Sequence, residues 1–284
     1  MITQAEERRL ANMLGVDVTV IDHDYVLGCY LAYLSQQPAV KASWVFKGGT
    51  SLAKCHFSTY RFSEDLDFTG TSAISQEDLL SVVTQTNGQM QEQIGIRTDE
   101  IVPRLEVVSD DYGKESYEIR IYYRGPWDYG GSAPSLQIHI NRDEILTFPI
   151  LERPLFHRYS DKNALPASTI RVYSLEEILA EKMRAFSGQR RQPIARDIFD
   201  IQHLMRHGVD THGVRVVFAR KCQVKGIDLG SIEIQKVLER KEEYRRNWER
   251  NVEFLVPDSL RVPFGEAWQN AFAELEATLS AMPR

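Results

Sequence analysis

The feature that most constrains this chain is Trp44-Val45-Phe46-Lys47-Gly48-Gly49-Thr50-Ser51-Leu52, followed after a short spacer by Arg61-Phe62-Ser63-Glu64-Asp65-Leu66-Asp67-Phe68. The apolar run at 44–46 reads as a short buried strand that ends in two glycines. Paired glycines let the backbone turn and approach a ligand without a side-chain penalty. Thr50 stands where a helix N-cap would, with Ser51 in the first turn. Free amides, the helix dipole and two hydroxyls there make a seat for phosphate oxygens. Asp65 and Asp67 are two apart in an otherwise apolar segment, so in a strand both carboxylates face one side. Carboxylates that close repel unless a cation sits between them, and Mg²⁺ takes such oxygens together with substrate phosphates. Taken alone, Lys-Gly-Gly-Thr is a common turn and Asp-Leu-Asp a common wet strand edge. Their succession, with strand patterns on both sides, points to metal-assisted chemistry on a nucleotide.

The 284 residues suffice for one large or two modest domains. No apolar run approaches a bilayer span, the N-terminus lacks a signal-peptide pattern, and Cys29, Cys55 and Cys222 suggest no zinc site, so a cytoplasmic protein is expected. The net charge of −6 does not mark a nucleic-acid binder, yet residues 181–225 carry ten basic side chains against four acidic ones. That segment is either a solvated helical face or a phosphate-binding surface.

Helical spacing of apolar residues marks 3–14 and 23–36, with Asp22 or Asp24 as the cap of the second. A short helix is expected at 50–57, and Gly70 closes the carboxylate strand. Ser75-Gln76-Glu77-Asp78 opens a helix that reaches about Ile94. The middle is β-rich, with strands at 104–108, 116–123 and 135–141 and breaks at 110–114 and 125–134. Gln137, His139 and Asn141 share one face of the last of these; His139 either is a polar residue on a half-buried strand or lines the site. A final strand falls at 170–173. Ser174 and Glu177 then form a capping box for a helix with Ile178, Leu179 and Met183 inward. Lys182 on that helix is either a snorkelling side chain or a contact to the β- and γ-phosphates. Asp197 and Asp200 lie one helical turn apart on the next helix. Further helices are expected at 211–221, 232–252 and 264–281. The stretch 236–250 interleaves Tyr244 and Trp248 with charges, as an exposed helix laced with ion pairs or as an aromatic wall of an acceptor groove. The fold class is α+β: a mixed sheet with helices packed on one side, in two parts at 1–160 and 161–284, the second a helical lobe.

Gly48-Gly49-Thr50-Ser51-Leu52 and Arg61-Phe62-Ser63-Glu64-Asp65-Leu66-Asp67 resemble the nucleotidyltransferase toxins of the AbiEii/AbiGii type. These belong to the DNA polymerase β-like superfamily, whose signature is Gly-Gly or Gly-Ser followed by Asp-x-Asp. Glu181-Lys182-Met183-Arg184-Ala185, then Arg196-Asp197-Ile198-Phe199-Asp200, match the later motifs of that family, so the resemblance covers about 44–203. It implies a polymerase β-like core that moves NMP from an NTP to an acceptor hydroxyl with Mg²⁺. The acceptor it suggests is the 3′ end of tRNA, in the toxin of a bacterial toxin–antitoxin or abortive-infection system. The cognate antitoxin is expected to carry a DNA-binding domain, and no membrane is involved. By this match Asp65 and Asp67 hold the metal, Lys182 contacts the triphosphate, and Asp197 orients Lys182 or acts as base. Lys47, Gly48, Gly49, Thr50, Ser51 and Ser63 are the nucleotide-side candidates; Ser63 supports the carboxylate strand or is a modification target. Asp200 is expected to hold Arg184 or Arg196. Many members of the superfamily place a third carboxylate on a strand near 136–141, where this chain has none. Asp143 or Glu144 replaces it only partly, so one firm metal site and a weaker second one are expected. The rival readings are an enzyme that modifies a protein or small molecule, and an inactive module that grips nucleotide or antitoxin.

Overall fold

Alternation along one four-residue strand, β1 (Trp44–Lys47), shows how the molecule is layered. Trp44 and Phe46 point into one buried cluster, and Val45 points into another on the opposite face. A computed structural model describes residues 1–98, 100–109, 113–127, 130–190 and 192–282. The sheet continues through β2 (Asp65–Gly70), β3 (Arg104–Ser109), β4 (Glu115–Tyr122), β5 (Ser135–Asn141), β6 (Leu151–Pro154) and β7 (Thr169–Val172), in the order β3-β4-β5-β2-β1-β7-β6. It is mixed: β2 runs antiparallel to β1 and parallel to β5, while β1 runs parallel to β7.

The first cluster lies between the sheet and the N-terminal helices α1 (Gln4–Leu14), α2 (Val18–Leu34), α3 (Pro38–Ser43) and, beyond the short α4 (Gly48–Ser51), α5 (Gln76–Ile94). Thr3 caps α1, and Gly15 closes it in the left-handed region. α2 is apolar nearly all round and therefore buried, with Ile21, Tyr25, Leu27 and Leu31 inaccessible. Its cap is Asp17, which accepts from Thr19 N at 2.8 Å, not Asp22 or Asp24. Those two lie inside the helix, and Asp24 is buried against Lys54 at 2.8 Å. Ser75 caps α5 as its sequence indicates.

The second cluster joins β1 to the C-terminal helices α6 (Leu175–Arg184), α7 (Ala195–Arg206), α8 (Thr211–Val224), α9 (Ile234–Glu239), α10 (Lys241–Asn251) and α11 (Phe264–Ser280). A boundary at 160 would fall between β6 and β7, both of which belong to the sheet. The helix expected at 232–252 is two, separated at Arg240. Tyr244 and Trp248 are 2% and 3% exposed among Phe186, Phe199 and Trp268, so they belong to the core and form no stacking wall. Residues 110–112 of the break expected at 110–114 and 128–129 of that expected at 125–134 lie outside the described residues, as does Arg191.

The C-terminal helices cover only the β1 side of their face of the sheet. Beyond β1 the same face stays polar. Asp67 is followed rung by rung by His139, Glu118 and Glu106, and Asp65 by Gln137, Arg120 and Arg104. A cleft of about 440 Å³ opens between this polar half-sheet and α6–α7.

Candidate active site

The glycine pair sits where β1 turns into α4. Gly48 has φ +77°, and a Cβ there would lie 2.4 Å from Asp67 Oδ2; at Gly49 it would lie 2.4 Å from Arg61 Nη2. Both positions exclude side chains because charged groups of the site press against the backbone. α4 starts at Gly48 with Lys47 as its cap, two residues before the expected start at Thr50. Thr50 Oγ1 donates to the Asp65 carbonyl and Ser51 Oγ to the Gly48 carbonyl at 2.8 Å, with both residues buried. These hydroxyls brace the turn and anchor the start of β2. Their donor hydrogens are therefore engaged by the protein's own backbone.

Asp65 and Asp67 alternate with buried Leu66 and Phe68 along β2 and line the cleft together with Ser63, Gly49, His139 and Lys182. Burial first, and then the neighbouring Asp67, push the Asp65 carboxyl above the usual carboxylate range. Among the described residues no group of three or more His, Cys, Asp or Glu side chains forms a ready metal cage. Two half-buried, mutually repelling carboxylates on an open cleft suit a hard divalent cation that keeps other positions for substrate phosphates or water. The donor set therefore fits Mg²⁺ brought in with a triphosphate.

Behind the pair lies a fully compensated cluster. Arg61 holds Asp200 through two bonds of 2.7 Å, from Nε and Nη2, and Tyr60 donates to the same carboxylate at 2.7 Å. Arg61 is 2% and Asp200 0% exposed. Asp200 thus grips Arg61, not Arg184 or Arg196, which pair with Glu144 and Glu64. Burial alone would raise the Asp200 carboxyl, but Arg61 and Lys182 outweigh it and hold it well below the usual range. Lys182 Nζ sits 2.6 Å from Asp197 Oδ1 and 3.1 Å from Asp200 Oδ2. Burial opposes its charge, but Asp197 and Asp200 raise its pKa and keep the ammonium charged. Asp197 also accepts from Arg190 Nη1 at 3.1 Å, so one carboxylate fixes two cations at the cleft.

On the far side of Asp67 a recess of about 140 Å³ is bounded by Lys47, Glu144, Glu181 and Arg184. Burial opposes the charge of Glu181, yet Lys47 and Lys221 hold its carboxyl far below the usual range. Glu144 is occupied by Arg184 and Lys225, which leaves it poorly placed to replace a third acid. The same pairing resolves the basic segment. Lys182, Arg184, Arg190, Arg196, Arg206, Arg215, Lys221 and Lys225 have carboxylate partners, so most of the segment's positive charge is balanced within the fold.

Glu118 and Arg190 are cleft residues that a reading by motif does not reach. Glu118 stands opposite His139, itself opposite Asp67, so an acid exists two strands from the pair and not on β5. Only strand register reveals it.

A family model described as "Nucleotidyl transferase AbiEii toxin, Type IV TA system" matches residues 31–274. No curated protein matches the sequence. Among solved structures, MenT4, a nucleotidyltransferase toxin of Mycobacterium tuberculosis, superposes with a TM-score of 0.65 at 22% identity, covering all of this chain and 91% of that one. JHP933 of Helicobacter pylori gives a TM-score of 0.56 at 16% identity over 93% of this chain and 94% of its own. These likenesses share the fold: a mixed sheet flanked by helices.

Proposed function

Because the chain belongs to the AbiEii nucleotidyltransferase toxin family of type IV toxin–antitoxin systems, we propose that it transfers NMP from an NTP to the 3′-terminal hydroxyl of tRNA. The observation that carries this reading is the meeting of Asp65, Asp67, Lys182 and the Gly49 backbone in one cleft. Asp65 and Asp67 would hold Mg²⁺, which supplies charge neutralisation on the triphosphate. The Gly48–Gly49 turn lets the Asp67 carboxylate and the Arg61 guanidinium close against backbone that any side chain would block. Lys182, locked by Asp197 and Asp200, faces the charge that builds on departing pyrophosphate without having to reorganise. Asp197, already holding Lys182 and Arg190, positions cations and is poorly suited to act as base. The acceptor hydroxyl attacks the α-phosphorus and gives its proton to water, the new oxygen–phosphorus bond forms as the α–β bridge breaks, and pyrophosphate leaves.

The acceptor strand lies along the polar half-sheet, where Arg120 and Arg104 continue the Asp65 rung outward. No helix among the described residues is long and apolar enough to cross a membrane. We place the reaction in the cytoplasm, opposed by an antitoxin that carries a DNA-binding domain.

The test is incubation with each α-labelled NTP, Mg²⁺ and total tRNA. Label at the tRNA 3′ end supports the proposal. Label on protein or on a small molecule moves the activity to another acceptor, and tight NTP binding without transfer reduces the chain to a binding module.

A further inference from the structure

A second cavity stands apart from the catalytic cleft. About 790 Å³ opens between α2, the π-turn at Leu52–His56 and the loop joining β6 to β7, and none of its lining residues borders the catalytic cleft. That volume lies in the range of small-molecule sites. Its floor is kept open by Gly28 and Ala32, one turn apart on α2, and by Ala53. Its walls are the apolar Leu155, Phe156, Leu165 and Pro166, and Arg158 and Lys162 stand with them; no acidic side chain lines it.

Two polar groups of the lining pack over Gly28, where a side chain would crowd them. A side chain there would begin 3.1 Å from Lys54 Nζ and 3.7 Å from His157 Nδ1. His157 is 9% exposed, and its Nε2 donates to Asp161 Oδ1 at 2.9 Å, a carboxylate that also accepts from Tyr25. In the neutral ring this leaves Nδ1 as a bare acceptor. Burial lowers the pKa of His157 and favours that neutral form. Nδ1 is buried and has no hydrogen-bond partner among the described residues, which is the condition a native structure rarely leaves unanswered. Lys54, 2% exposed, binds the Asp24 carboxylate at 2.8 Å and its carbonyl at 3.1 Å, and a three-donor ammonium can serve another acceptor.

We propose that this cavity is a second ligand site, which takes a nucleoside monophosphate. The floor offers a donor, Lys54, beside an acceptor, His157, and so matches the adjacent acceptor and donor on the edge of a nucleobase. The apolar walls accept the flat base, and Arg158 and Lys162 receive the phosphate. The site is independent of the transfer chemistry, since it requires neither Asp65 nor Asp67.

The experiment is calorimetric titration of the whole protein with AMP, GMP, CMP and UMP in excess EDTA, with inorganic phosphate as the companion probe. The variants are Ala167→Trp, which plugs the mouth from an exposed position, Lys162→Glu, also exposed, and His157→Phe. One or more nucleotides should bind with one-to-one stoichiometry, and each variant should weaken that binding about tenfold or more, the loss expected for one hydrogen bond or ion pair to a buried group. Wild-type affinity in Asp67→Asn should persist. Absence of binding by all four nucleotides at millimolar concentration overturns the proposal. So does binding that survives in Ala167→Trp and Lys162→Glu, which would place it in the catalytic cleft, and so does phosphate binding as tightly as any nucleotide, which would leave no role for the base. Since EDTA removes the divalent ion, a failed transfer reaction has no bearing on these outcomes.

Discussion

Two pairs of aspartates meet at one cleft in opposite electrostatic states: Asp65 and Asp67 on the sheet wall, and on the helical wall Asp197 with Asp200 buried behind it. The pair on α7 is surrounded: Arg61, Tyr60, Lys182 and Arg190 occupy its oxygens, and its charges are already balanced. The pair on β2 faces its own repulsion, which with burial lifts Asp65 above the ordinary range. One wall is complete as folded and holds the cations still. The other, on the proposed function, is balanced by a divalent cation. The difference separates scaffold from chemistry among residues that look alike in sequence.

Substitutions should divide along that line. The largest effect is expected from Arg61→Ala, which leaves the Asp200 charge buried and short of its bidentate partner; stability should fall by about 3–5 kcal/mol in chemical denaturation. A variant as stable as the parent would mean that the compensated wall is no scaffold. Gly48→Ala comes next. Its positive φ and the 2.4 Å approach to Asp67 Oδ2 should reduce transfer by about a hundredfold through displacement of the carboxylate, with a stability loss of about 1–2 kcal/mol. Activity near the parent level would show that the turn does not position Asp67.

The pH dependence sharpens the same contrast. Asp65 has a raised pKa in the folded state, so its ionisation weakens the metal-free fold as pH rises through that value, and protonation relieves it on the acid side. The acid limb of Mg²⁺ binding to the free protein should therefore lie above the ordinary aspartate value of about 3.9. In Asp67→Asn, the metal-free protein should lose less stability over that interval, as thermal melts across pH would show. The smallest effect belongs to Arg196→Ala, whose partner Glu64 is 47% exposed; a stability change within about 1 kcal/mol is expected. A larger loss would move Arg196 into the scaffold.

Much of the carboxylate wall was legible from sequence, because β1, the glycine turn and β2 are local and their alternation carries the register. The other wall was legible only as motifs. That Asp200 grips Arg61 depends on contact between residues 139 positions apart, which no local pattern encodes. Thr50 and Ser51 read as ligands for phosphate because a hydroxyl at a helix start normally looks outward; here the backbone carbonyls of Asp65 and Gly48 claim them. The burial of Tyr244 and Trp248 was foreshadowed by their spacing of four in an otherwise charged helix, the mark of an inward stripe. The basic segment stayed open between two readings because many of its counter-charges, Glu64, Glu144, Glu177, Glu266 and Glu274, come from elsewhere in the chain.

The most direct measurement is the thermal stability of wild type, Asp65→Asn and Asp67→Asn with and without Mg²⁺ and a non-hydrolysable NTP analogue. If the β2 pair is held apart from balance until a cation joins it, both variants melt at or above the wild-type temperature without metal. Mg²⁺ with the analogue then raises the wild-type melting temperature and leaves the variants unmoved. Equal Mg²⁺-dependent stabilisation of all three proteins would contradict the assignment of Asp65 and Asp67 as the metal-binding pair.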